Sequence, residues 1–167
     1  MDNSSLVYEA LARWQIAYER HDHGHAHTIG DCLVMPFITD EVVICKNIFL
    51  CNRQQTHFYL LLISPLKSFR TSQVSRALGV SRLSFAPNEM LAPLLGLEAG
   101  AVSPLGLLLD EDHRISLVCD EALKKAPRIA FHPLVNTSTV IFDGGTFWNQ
   151  LLPKMGVKPI FVTCEGP

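Results

Sequence analysis

The run Val42-Val43-Ile44-Cys45-Lys46-Asn47-Ile48-Phe49-Leu50 constrains this chain more than any other segment. Its apolar residues read as a buried sheet strand. A second run, His57 to Ile63, follows the polar linker Asn52-Arg53-Gln54-Gln55-Thr56, so strands over Glu41 to Cys51 and His57 to Ile63 are expected to form an antiparallel hairpin. A lysine stands in the middle of the first strand. Desolvating an ammonium costs roughly several kcal/mol unless it is paired or opens onto a polar cavity. Lys46 therefore either pairs with a carboxylate or snorkels to a rim, or it is kept for function. Alternation places Lys46 on one face with Ile44 and Ile48, and Cys45 and Asn47 on the other, unless a bulge brings Lys46 and Asn47 together.

The remaining elements alternate. Asn3 or Ser4 caps a first helix to about Gln15, with Leu6, Ala10, Leu11 and Trp14 on one face. A short strand over Ile16 to Arg20, a His-rich turn and a helix near Ile29 to Met35, stopped by Pro36, come next. Beyond the hairpin, a helix over Ser72 to Leu78 ends at Gly79, and another runs from about Pro87 to Gly96. Strands are expected near Leu107 to Leu109, Ile115 to Cys119, Arg128 to Phe131 and Thr137 to Phe142. A helix from Gly145 to Met155 and a strand from Ile160 to Thr163 close the chain. The pattern is α+β: one domain over 1–167 with a central, mostly antiparallel mixed sheet flanked by short helices.

With 167 residues, 48% of them hydrophobic and 18% charged, the chain has enough apolar material for one core. No membrane span or leader is expected, which points to the cytoplasm. Five scattered cysteines without a C-x-x-C pair read as reduced core thiols. A net charge of −2 excludes the general basic coat of a sequence-independent nucleic-acid binder. Lys67, Arg70, Arg76 and Arg82 are concentrated in one segment, which is either a phosphate contact or a solvated face.

Three constellations could carry chemistry. The first is Lys46-Asn47. The second is the loop Gly100-Ala101-Val102-Ser103-Pro104, whose small residues leave backbone N–H groups accessible to an oxyanion, or which is an ordinary turn. The third is Phe131-His132-Pro133 with Asn136 and Thr137 beyond it, a strand end where a histidine is either displayed for function or satisfied structurally. His21, His23, His25 and His27 resemble a metal site by composition, but no distant ligand completes a shell and nothing else in the chain asks for a metal or cofactor.

In chain order, Lys46-Asn47-Ile48-Phe49-Leu50, Leu83-Ser84-Phe85 followed by Glu89, Gly100 to Leu107, and Phe131-His132-Pro133 with Asn136-Thr137 resemble the freestanding prolyl-tRNA editing proteins of the YbaK and prolyl-tRNA-synthetase-associated domain superfamily. The resemblance spans about Leu6 to Val162 and is closest to the branch that removes alanine from proline tRNA. It implies a deacylase in which Lys46, Asn47 and His132 are catalytic. Gly100, Ala101, Val102, Ser103, Pro104, Phe131 and Thr28 would bind substrate, with Phe131 as a pocket wall. The implied partners are the acceptor end of tRNA(Pro) and prolyl-tRNA synthetase, with no membrane and no DNA. Ester hydrolysis needs a water, oxyanion stabilisation and placement of the terminal adenosine, without a covalent nucleophile, and the chain has no G-x-S-x-G elbow. Alternatives are a cysteinyl-tRNA(Pro) or other aminoacyl-tRNA deacylase, a non-catalytic tRNA or nucleotide-binding module, and a metal-dependent hydrolase on the histidine run.

Overall fold

A computed structural model describes residues 3–24, 31–32, 35–90 and 102–164. Helix α1 (Ser4–Arg13) buries Val7, Ala10 and Leu11. Gln15, at φ 55°, turns the chain out of it, and the Ile16 N–H closes on the Leu11 carbonyl at 2.9 Å. The first strand consequently begins later than Ile16, as β1 (Glu19–Asp22).

The long run around Lys46 is not one strand. It divides into β2 (Val42–Ile44) and β3 (Lys46–Cys51), with Cys45 between them, and the two halves enter different sheets. β3 forms the expected hairpin with β4 (Phe58–Ile63), in register from Lys46 opposite Ile63 to Cys51 opposite Phe58. The ladder is regular at both Lys46 and Asn47, so no bulge turns their side chains to one face.

Helix α2 (Thr71–Leu78) follows and ends as expected at Gly79, whose φ of 68° favours a residue without a Cβ. Strand β5 (Ser84–Phe85) pairs with β3, and a single 3₁₀ turn, Asn88–Met90, is the described part of the helix expected from Pro87. The stretch Leu107 to Leu109 is a 3₁₀ helix, Pro104–Leu109, and not a strand. Ser103 Oγ accepts the Leu105 N–H at 3.2 Å and Pro104 presets the first turn, so a capped helix start overrides the apolar pattern. Then come β6 (Ile115–Asp120), β7 (Arg128–Phe131), β8 (Ser138–Asp143), a helical segment at 144–154 with a π stretch over Phe147–Leu151, and β9 (Ile160–Val162).

The strands form two mixed sheets, ordered β1-β8-β7-β2 and β5-β3-β4-β6-β9, in place of one central sheet. The main core is shared by both: Phe49, Phe58, Leu60, Leu62 and Leu117 from the second meet Ile129, Phe131, Val140 and Phe142 from the first. The other face of the five-stranded sheet carries Leu50, Leu61, Ile63 and Val118 beneath Val74 of α2, and the other face of the four-stranded sheet carries Val42, Ile44, Ala130 and Ile141 against Cys32.

Phe131 belongs to the shared core. It is 1% exposed, and its ring lies 4.8 Å from that of Phe147. The expected pocket wall is thus a packing residue on the core face of β7. Phe131→Ala is expected to cost about 3–5 kcal/mol of stability, read as a lowered thermal midpoint, whereas a wall residue would change amino-acid selectivity with the midpoint intact.

Candidate active site

Two strand ends define the site. β2 and β7 run parallel with Ile44 beside Ala130. Lys46 and His132 each stand two residues beyond that last pair, so both segments leave the same end of the four-stranded sheet, the carboxyl end where α/β folds gather ligands.

Lys46 opens β3 on the face shared with Ile48 and Leu50. Its ammonium donates to the Lys67 carbonyl at 2.9 Å. Among the described residues no carboxylate lies within ion-pair distance of it, so the lysine is satisfied by a single carbonyl dipole and keeps two N–H donors for another acceptor. The carbonyl itself is fixed. Lys67 Nζ donates to Asp120 Oδ2 at 2.7 Å and to the Cys164 carbonyl at 3.0 Å, and Asp120 is 1% exposed.

Asn47 points to the opposite face. Its Nδ2 donates to the Cys45 carbonyl at 3.2 Å, which bridges the switch between sheets, while its Oδ1 is buried with no partner among the described residues. An orphaned buried acceptor costs about 1–3 kcal/mol, a burden that a donor on a bound ligand would relieve.

His132 is held from three sides. Nδ1 lies 2.9 Å from the Ser138 carbonyl and Nε2 lies 3.6 Å from Cys32 Sγ. A carbonyl only accepts, so Nδ1 carries the proton and Nε2 presents its lone pair towards the thiol. Its backbone carbonyl accepts Ser103 Oγ–H at 2.7 Å. Ser103 is fully buried, and through this bond the Val102-Ser103-Pro104 end of the small-residue loop is pinned to the histidine. Leu134 adopts φ 66° between His132 and Ser138. A left-handed leucine costs roughly 1–2 kcal/mol, and strain of this kind gathers at functional loops.

Burial is the main influence on the His132 imidazole and lowers its pKa from the ordinary 6.5; the Ser138 carbonyl opposes this and nearby His23 adds to it. The unfolded chain binds the proton more readily, so the neutral imidazole's contribution to stability is complete above about pH 6.5 and is lost as pH falls through that range towards the lower folded value. In an NMR titration His132 is expected to protonate below the ordinary imidazole value of 6.5. Titration at or above the ordinary value would mean that the ring is not buried as described.

His23 packs beside this centre, its ring 6.1 Å from that of His132. Its Nδ1 faces the Gly24 carbonyl at 2.7 Å and its Nε2 faces Thr139 Oγ1 at 2.8 Å. His21 stacks on Phe37 and meets Glu19 at 3.2 Å. Among the described residues no three potential metal ligands converge. His25, His27, Thr28, Gly100 and Ala101 lie outside the described residues.

The fold therefore joins Ser103 to His132 directly and brings the Lys46 segment to the same sheet end, while the ammonium itself turns to Lys67 and not to His132. Three contributors carried no local sequence signal: Cys32, which read as a core thiol; Lys67, which read as surface charge; and Ser138, whose carbonyl sets the tautomer. All five cysteines are buried and free.

The aminoacyl-tRNA editing domain family matches residues 23–146, which contain both strand ends, and the chain belongs to that family. It is 29% identical over 143 residues to the prolyl-tRNA editing protein ProX of Acetoanaerobium sticklandii, covering 86% of this chain and 87% of that one. It is 28% identical over 143 residues to the prolyl-tRNA synthetase associated domain-containing protein 1 of Danio rerio, covering 84% and 76%. A solved structure described as a candidate trans-editing enzyme for prolyl-tRNA synthetase superposes with a TM-score of 0.72 at 15% identity, over 100% of this chain and 99% of that one. That likeness concerns the fold. Among the described residues no helix is long and apolar enough to cross a membrane.

Proposed function

We propose that this protein is a trans-editing deacylase that hydrolyses mischarged tRNA(Pro), with alanyl-tRNA(Pro) as its substrate. The observation that carries the reading is the ammonium of Lys46, which has no carboxylate partner among the described residues and stands where the chain crosses between sheets, beside the strand that delivers His132. The chain's family membership and its likeness to ProX support the same assignment.

Water attacks the ester carbonyl, the acyl C–O bond breaks, and alanine leaves the terminal ribose hydroxyl. Lys46 holds the substrate by charge, exchanging its carbonyl partner for a substrate oxygen. The backbone N–H groups of Val102 and Ser103 serve the developing oxyanion, and Ser103 fixes that end of the loop to the His132 carbonyl. On release from its weak 3.6 Å contact with the Cys32 thiol, the Nε2 lone pair of His132 accepts a proton from the attacking water. Asn47 fixes the crossover through its bond to the Cys45 carbonyl. The terminal ribose 2′-hydroxyl lies close enough to the ester to assist.

A pocket shaped for proline cannot strongly reject alanine, because each missing methylene is worth only about 1–3 kcal/mol. A second site that admits alanine and excludes proline by volume supplies the missing discrimination. The test is hydrolysis of alanyl-, cysteinyl- and prolyl-tRNA(Pro) side by side. Selective loss of the alanyl ester is expected. Preference for the cysteinyl ester would move the protein to the other branch, and turnover of none would leave a binding module.

A further inference from the structure

The chain's charge is segregated. Six of its fourteen Lys and Arg residues and none of its sixteen Asp and Glu residues lie within 42–88, so that stretch carries +6 and the remainder −8. The stretch comprises β2, β3, β4, α2 and β5. Not all six charges are available: Lys67 is neutralised by Asp120 at 2.7 Å. Arg70, Arg76 and Arg82 are exposed and have no ion-pair partner among the described residues.

The same surface carries unusual apolar exposure. Leu66 is 80% exposed and adjoins Lys67, whose carbonyl holds Lys46. Phe85 is 65% exposed on the short edge strand β5, opposite Leu50 of β3. The Phe69 and Phe85 rings meet edge to face, with centres 6.0 Å apart and planes at 71°, and the 65% exposure of Phe85 leaves room on it for a further planar group. Leu50 is four residues from Lys46 along β3, roughly 14 Å at the rise of an extended strand. That separation matches a few nucleotides of single-stranded RNA.

We infer that the surface formed by Phe85, Phe69, Arg70, Arg76 and Arg82 docks the acceptor end of the tRNA, with a base near the 3′ end stacked on Phe85 and the arginines on backbone phosphates. This rests on the deacylase reading of the Lys46 site. Charge complementarity selects a polyanion, and the exposed aromatic beside the cations selects nucleic acid with unpaired bases. A chain of net charge −2 therefore binds RNA through one basic face and repels it from the others.

The test uses the full-length chain and a fluorescein-labelled tRNA(Pro) acceptor-stem microhelix ending in CCA. Binding is followed by anisotropy over a range of salt concentrations, and alanyl-tRNA(Pro) turnover is measured separately. Replacing Arg70, Arg76 and Arg82 together by Gln is expected to weaken binding about ten- to thirtyfold and to flatten the slope of log affinity against log salt by about 2 to 3. A control with the same loss of charge, Lys125, Lys154 and Lys158 replaced by Gln, is expected to bind like the wild type. Phe85→Ala is expected to weaken binding about tenfold, and Phe85→Trp to retain it. Wild-type affinity in the arginine variant, or an equal loss in the control, overturns the inference. Unchanged RNA binding with loss of prolyl-tRNA synthetase binding would overturn it too, by assigning the face to a protein. If the arginine dependence appears but the wild type hydrolyses no aminoacyl ester, the docking surface stands and the deacylase reading falls.

Discussion

Lys46→Ala is expected to lower the deacylation rate by about 10²–10³-fold, the usual loss when one preorganised donor to a developing charge is removed. The fold should survive. The side chain is half-buried, makes one hydrogen bond, to the Lys67 carbonyl, and has no carboxylate partner among the described residues that its loss would leave unpaired. The structural cost is therefore about 1–3 kcal/mol, small enough for circular dichroism and the thermal midpoint to confirm a folded variant. Lys46→Arg retains the charge but spreads it over a planar fork that suits bidentate acceptors, and is expected to rescue activity only in part. Full activity in the alanine variant would remove the lysine from the mechanism.

The second large effect is expected at Lys67, through stability. Its ammonium neutralises Asp120, which is 1% exposed and so has almost no water to fall back on. Lys67→Met leaves a buried carboxylate unpaired and should cost about 3–5 kcal/mol. A Lys67→Met, Asp120→Leu double variant should recover much of that loss, because replacing both ions with apolar side chains avoids the stranded charge. If the single variant melts like the wild type, the ion pair is not buried as described. The pair also fixes the carbonyl that holds Lys46, so the double variant should fold yet turn over more slowly.

Periodicity made much of this architecture legible. The hairpin, α2 with its Gly79 cap, and the run from β6 to β9 follow from alternation, turn residues and glycine placement. What the pattern could not show was the change of sheet at Cys45. A nine-residue run interrupted only by Lys46 and Asn47 reads as one strand, and only the tertiary pairing of β2 with β7 and of β3 with β4 divides it. The Pro104–Leu109 turn was masked in a different way. Three leucines in a row suit a strand, but the Ser103 cap and Pro104 decide the backbone first.

At the site, Lys46 was conspicuous because a charge interrupted an apolar run, and His132 because it ended a strand. The partners that orient them were silent. Lys67 acts on Lys46 through its backbone carbonyl and on Asp120 over a separation of 53 residues, and Cys32 meets His132 across 100 residues. Neither contact has any local signature. Phe131 was drawn into the site by its neighbour His132, but strand alternation sends the two side chains to opposite faces of β7, one into the core and the other outward.

The most direct test of the account is the time course of alanine release from alanyl-tRNA(Pro), with wild-type protein and Lys46→Ala run in parallel against spontaneous hydrolysis. Rapid release is expected with the wild type, release about 10²–10³-fold slower with the variant, and no acceleration for prolyl-tRNA(Pro). Equal rates for the two proteins, or a wild type no faster than the uncatalysed ester, would contradict it.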